Sequence, residues 1–114
     1  MKVRIGHVNF PVRWESEDND DYGESMGSFD ALGGIELHPD QSPSEAAATL
    51  IHEVVHAIAK VYRFPPKIAS EEKLCLLLEG PLAAFLRDNR EVVTAIQEAL
   101  ENDVPFELDE VEDC

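Results

Sequence analysis

Apolar and polar positions alternate along the first stretch of the chain, Lys2 to Trp14. Val3 and Ile5 share one face; after Gly6-His7 the phase slips, and Val8, Phe10, Val12 and Trp14 share the other. A period of two with a slip at glycine predicts a strand with a bulge, or two short strands. His7 falls within this strand region and reads as structural. Pro11 cannot donate to a ladder, which predicts that the second half lies at a sheet edge. A polar stretch follows, and Met26–Ala31 with Gly34–His38 then predict a hairpin across Leu32-Gly33-Gly34.

From Ser42 the period changes. Ser42 reads as an N-cap, Pro43 as the first helical residue and Glu45 as the partner in a capping box. Good helix formers continue to Arg63, where Phe64-Pro65-Pro66 stops the helix. Leu50, Ile51, Val54, Val55, Ile58, Val61 and Tyr62 cover most of its circumference, which predicts a central helix packed on most sides. One stripe is polar: Glu45, Thr49, His52, Glu53, His56 and Arg63 fall within about 100° of one another. A second helix is expected from Ser70 to Asp88 with a bend at Gly80-Pro81. A third is expected from Arg90 to Glu101, capped by Asp88 or Asn89, with Val92, Val93, Ile96, Ala99 and Leu100 on one face.

Charge narrows the function classes. The 114-residue chain carries 24 acids against nine bases, a net charge of −15. Six acids without a base lie in Glu15–Glu24 and eight in Glu98–Cys114, which leaves 10 acids against nine bases elsewhere. Affinity for a phosphate backbone comes from Lys and Arg, so no nucleic-acid partner is expected. A basic protein or peptide would instead be attracted, and an acidic mimic of nucleic acid is one alternative function. No apolar run approaches the ~20 residues needed to cross a bilayer, so no membrane partner is expected. The start, Met1-Lys2-Val3-Arg4-Ile5, has no apolar leader region. Cys75 and Cys114 make no disulfide framework. The expectation is a cytoplasmic protein: one α+β domain over residues 1–101 with a small, mostly antiparallel sheet of about three strands, then an acidic tail, 102–114.

The polar stripe of the central helix reads His52-Glu53-Val54-Val55-His56. Two imidazoles four residues apart on a helix project side by side and can share one divalent ion. A glutamate beside the first histidine lies off to one side, where it can take a proton from an activated water instead of ligating the metal. A catalytic zinc needs a third protein ligand and one open position. Glu71, Glu72, Cys75 and Glu79 are the candidates. Leu74, Leu78, Leu82 and Phe85 fall within about 60° of Glu71 at 100° per residue, which places Glu71 on an inward face. A buried carboxylate there would be compensated by a metal. Glu72 is second choice, and Cys75 reads as a small core thiol.

The stretch Thr49–Ile58 resembles the active-site helix of zincin metallopeptidases, and Ser70-Glu71-Glu72-Lys73-Leu74 resembles the glutamate helix of the gluzincin branch. The layout over Gly27–Asn89 is most similar to the small ImmA/IrrE-like and phage-encoded metallopeptidases. The Ala-Asn pair common in the glutamate helix of the ImmA-like proteins is absent, and no helix-turn-helix module is visible.

The resemblance implies a minimal zincin-like domain with the motif helix at its centre. It further implies a peptidase with Zn2+ held by His52, His56 and a glutamate, and Glu53 as general base. A strand before the motif helix (Ile35, Glu36, Leu37 and His38) would lie along the cleft and pair with an extended peptide or protein substrate. His38, Tyr22, Tyr62 and Arg63 are the candidates to stabilise an oxyanion. The alternative is a catalytically silent or regulatory protein on the same scaffold, docking a basic partner.

Overall fold

The computed structural model describes residues 1–18 and 22–108. Its elements are β1 (Lys2–Ile5), β2 (Val8–Trp14), β3 (Gly27–Asp30), β4 (Gly34–Leu37), α1 (Pro43–Val61), α2 (Glu71–Asp88) and α3 (Arg90–Asn102). Together they make an α+β domain in which one four-stranded mixed sheet, ordered β1-β2-β4-β3, packs against helices.

The alternation at the N-terminus becomes two strands. β1 and β2 pair antiparallel with Val3 opposite Phe10 and Ile5 opposite Val8, and the turn between them is Gly6-His7. His7 therefore lies exposed in a turn rather than in a strand. Val3, Ile5, Phe10 and Val12 are buried, as the period of two requires.

The sheet differs from a small antiparallel meander in one respect. β2 and β4 run parallel, Val12 opposite Ile35 and Trp14 opposite Leu37, while β3 pairs antiparallel with β4 on the far side. The connection after β2 carries the chain past one strand position, and the expected hairpin, β3 to β4, returns a strand into that gap. This makes four strands where about three were expected, and it leaves Pro11 with a ladder partner on one side alone, Lys2 of β1, because the β4 ladder begins at Val12. β2 is flanked on both sides, by β1 along its first half and β4 along its second. The bond from Val12 N–H to Met1 O (2.8 Å) puts Pro11 at a position that donates nothing toward β1, so its ring interrupts no ladder bond there. Gly34 (φ +88°) opens β4 against that ring: a Cβ at this position would lie 2.5 Å from Pro11 O.

α1 begins as its sequence dictates. Ser42 Oγ accepts from Glu45 N–H (3.2 Å) and Glu45 Oε1 accepts from Ser42 N–H (3.0 Å), closing the capping box. Hydrogen bonds to the Glu45 carboxylate from the Ser42 backbone N–H and from the Ser42 side chain favour its ionised form and hold Glu45 below its ordinary pKa. Leu50, Val54, Ala57 and Ile58 pack into the core against the sheet and α3. The helix is nevertheless not covered on most sides: Ile51 and Val55 stay 44% and 42% exposed.

The reason lies in α2, which packs on β1 and α3 rather than along α1. Only its second half is anchored. Phe85 is buried, and Asn89, between α2 and α3, does not cap α3 with its side chain. Its amide instead donates to Arg4 O (2.7 Å) and Phe85 O (2.9 Å), while its Oδ1 accepts from Arg4 N–H (2.6 Å). The first half meets little, so Leu74, Leu76 and Cys75 are exposed rather than core. Past α3 the chain turns through Asp103 (φ +57°) and returns Phe106 to the core, so packed structure continues beyond residue 101. The remainder of the expected acidic tail, 109–114, lies outside the described residues. Among the described residues, no helix is long and apolar enough to cross a membrane.

Candidate metal centre

Four-residue spacing on α1 brings His52 and His56 side by side. Their Nε2 atoms are 3.2 Å apart and their rings meet nearly edge to face, at 68° with centroids 4.8 Å apart. Two nitrogens each ~2.0–2.1 Å from one metal and 3.2 Å from each other subtend roughly 100–106° at it, close to the tetrahedral angle of zinc. Both imidazoles are exposed and open to an ion from solvent.

Glu53 stands apart from the pair in environment. It is 5% exposed and turned toward β3, where its Oε2 would lie 3.4 Å from a Cβ at Gly27. Its side chain borders two open hollows, one of about 430 Å³ shared with Phe29, His56 and Lys60, the other of about 380 Å³ shared with Gly27, Thr49 and His52. The ligand atoms of His52, Glu53 and His56 all lie within 4.8 Å of one another, and among the described residues they are the only three such groups that could hold a metal. Two neutral imidazoles and an adjacent carboxylate suit a borderline ion such as Zn2+.

The strand beside Glu53 is braced by Gln41. Its amide donates to Met26 O (2.9 Å) and His38 O (2.8 Å), and its Oε1 lies 2.9 Å from Thr49 Oγ1, one helical turn before Glu53. Gln41 thereby ties the start of β3 and the end of β4 to the metal helix. Nothing in the sequence pattern marked it, because it sits in the loop between two elements.

Not every expected site residue joins this group. Glu71 and Glu72 lie exposed in the first turn of α2 and belong to no metal-capable group, because that half of the helix stands clear of α1. The inward face expected for Glu71 forms only farther along α2, where Phe85 is buried and Leu78 packs on the core, and Glu71 itself is left uncovered. Ile35, Glu36, Leu37 and His38 cannot serve as a pairing edge: β4 is hydrogen-bonded to β2 on one side and β3 on the other, and His38 N–H is used by Met26 O. The strand with an outer edge beside Glu53 is β3. His38 is buried with its ring 4.7 Å from Tyr22, and its Nδ1 accepts from Asp40 N–H (3.0 Å), which leaves the proton of the neutral ring on Nε2. Tyr62 and Arg63 sit past the end of α1, with the Tyr62 hydroxyl beside Gly6. The cation that does border the hollow of Glu53 and His56 is Lys60, which the sequence reading passed over. Its spacing of four from His56 was the available signal.

The chain matches no family model, no curated protein and no solved structure.

Proposed function

We propose that this protein hydrolyses peptide bonds as a zinc-dependent metallopeptidase of the zincin type, as the resemblance of its motif helix implies. The observation that carries the reading is the 3.2 Å separation of the two Nε2 atoms beside a largely buried carboxylate that borders two hollows. Zinc held by His52 and His56 would supply Lewis acidity, polarising a carbonyl and bringing the pKa of a water down to about 7.

The chain's own residues do the remainder. Glu53 takes the proton of the attacking water and delivers it to the leaving nitrogen, roles that its position between two hollows allows. Lys60 offers its ammonium to the oxyanion from the wall of the same hollow. An extended substrate pairs with the outer edge of β3, which runs alongside Glu53. The third protein ligand comes from the first turn of α2, Glu71 ahead of Glu72. Neither has a hydrogen-bond or ion-pair partner among the described residues to hold it where it is. Drawing that turn over α1 would also cover apolar surface left bare on both helices, Ile51 and Val55 on one and Leu74 on the other.

Metal analysis of natively purified protein, paired with Glu53→Gln, tests the reading. One zinc per chain is expected in both proteins, with hydrolysis of a peptide library in the wild type alone. Full hydrolysis by Glu53→Gln, or no stoichiometric metal in either protein even after zinc is supplied, would overturn it. Glu71→Ala is expected to lower zinc content far more than Glu72→Ala, and equal occupancy in the two would discard the choice of acid.

A further inference from the structure

The face of the sheet turned away from the helices carries a second cluster of functional groups. Alternation puts Arg13 and then Glu15 on this face of β2, Glu36 on β4, and Ser28 and Asp30 on β3, with Glu36 directly between Arg13 and Ser28 in the register. Glu15, Glu24, Asp30 and Glu36 all line one hollow of about 720 Å³.

Glu15 is the informative member. Its residue is only 8% exposed, its backbone N–H continues the ladder to Leu37 O (2.7 Å), and its carboxylate has no hydrogen-bond or ion-pair partner among the described residues. Among the described residues no buried side-chain oxygen is sealed off without a partner, so this carboxylate opens into the hollow it lines. Burial and the neighbouring Glu15 charge raise the pKa of Glu36, and Arg13 offsets this only through space. Asp30 is the opposite case. The N–H groups of Leu32 (2.7 Å) and Gly33 (3.1 Å) donate to its Oδ1 and lower its pKa.

We infer that this hollow is a subsite for a basic side chain, arginine or lysine, of an extended peptide lying along β3. The inference rests on the reading of the metal centre as a peptidase site and adds the chemistry of its substrate. The geometry of β3 links the two places. Gly27 and Phe29 face α1 and Glu53, whereas Ser28 and Asp30 face the hollow. A strand added to that edge alternates its side chains in the same way, so one residue projects toward the metal helix and the next over the carboxylates. A long basic side chain brings the cation that Glu15 lacks, and its planar fork suits the Glu15–Glu36 pair when it is arginine. A bare divalent ion is the poorer occupant, because among the described residues no three of these carboxylates come together as a group that could hold a metal.

The test is binding without turnover, using the full chain carrying Glu53→Gln. The probes are a capped Ala-Ala-Arg-Ala-Ala amide and its citrulline counterpart, which replaces guanidinium by a neutral isostere. Affinity for the arginine peptide is expected to exceed that for citrulline by roughly tenfold to a hundredfold, the range set by a charge-assisted hydrogen bond of ~1.5–3 kcal/mol. Glu15→Gln should erase most of that preference and Glu36→Gln part of it, while Glu101→Gln at the end of α3 leaves it intact. Glu36→Gln relieves a carboxylate whose ionisation burial disfavours, and Glu15→Gln keeps the size and shape of a side chain that makes no hydrogen bond or ion pair among the described residues, so neither threatens the fold. A preference that survives both, or that falls equally with Glu101→Gln, would overturn the inference. So would displacement of the arginine peptide by stoichiometric calcium. Because the binding measurement requires no hydrolysis, a Glu15-dependent preference found together with a wild-type protein that hydrolyses no peptide would retain the subsite and remove only the peptidase reading.

Discussion

Replacing Gly27 by alanine measures how tightly β3 is pressed onto the metal helix. The added Cβ would lie 2.5 Å from Thr49 Cγ2, well inside contact distance, and 3.3 Å from Glu36 O. Gly27 has no positive φ, so the backbone conformation suits alanine and the cost is contact alone. Thr49 cannot turn away cheaply. Its hydroxyl lies 2.9 Å from two acceptors, Glu45 O and Gln41 Oε1, and rotating χ1 gives up the one hydrogen it donates there. Overpacking of this kind costs ~1–3 kcal/mol. In a domain near this length each kcal/mol lowers Tm by roughly 4 °C or more. Urea unfolding of Gly27→Ala, Thr49→Ser and the double variant separates the contact from other effects. Thr49→Ser deletes the offending methyl and keeps the hydroxyl, so the double variant should recover most of the loss, a coupling of ~1–2 kcal/mol for residues in contact. Wild-type stability in Gly27→Ala, or no recovery in the double variant, would refute the close approach of β3 to α1 and with it the placement of Glu53.

Three further outcomes are expected. Zinc at about a hundred times its Kd should stabilise the fold by ~2.7 kcal/mol; a chelator should remove this gain, and His52→Ala should be insensitive to chelator in the same thermal scan. Asn89→Ala should cost at least ~2 kcal/mol in denaturant unfolding, because Arg4 N–H loses its acceptor and two carbonyls lose their donor; a loss below ~0.5 kcal/mol, typical of a surface site, would show that the α2–α3 junction is not anchored there. Glu36 holds its proton more tightly folded than unfolded, so its contribution to stability falls as pH rises from the ordinary glutamate range through its raised folded value; Glu36→Gln should flatten that segment of the stability–pH curve, and an unchanged curve would show that the desolvation is not felt.

Local signals carried much of the fold. The capping box at Ser42 and Glu45, the β3–β4 hairpin and the two-residue phase slip at Gly6-His7 each depend on residues close in sequence, and each forms where expected. The pairing of His52 with His56 is of the same kind, since helical geometry alone sets their separation. Glu71 failed as an inward residue because amphipathic spacing identifies an apolar face without identifying what covers it. Leu74 and Leu82, two of the leucines around it, stay exposed once Asn89 fixes the far end of α2 to β1.

By itself, then, the sequence determined the α+β class, the capped helix and the adjacent imidazoles of His52 and His56, because these follow from propensities and periodicities within a few residues. Only the tertiary structure decided that β4 lies inside the sheet and β3 at its rim, that Glu53 is buried against Gly27, and that Glu15 and Glu36 share a hollow on the opposite face. Those relations join residues that are distant in the chain. They depend on strand order and on which ends of the helices are held, and a periodicity read along one segment contains neither.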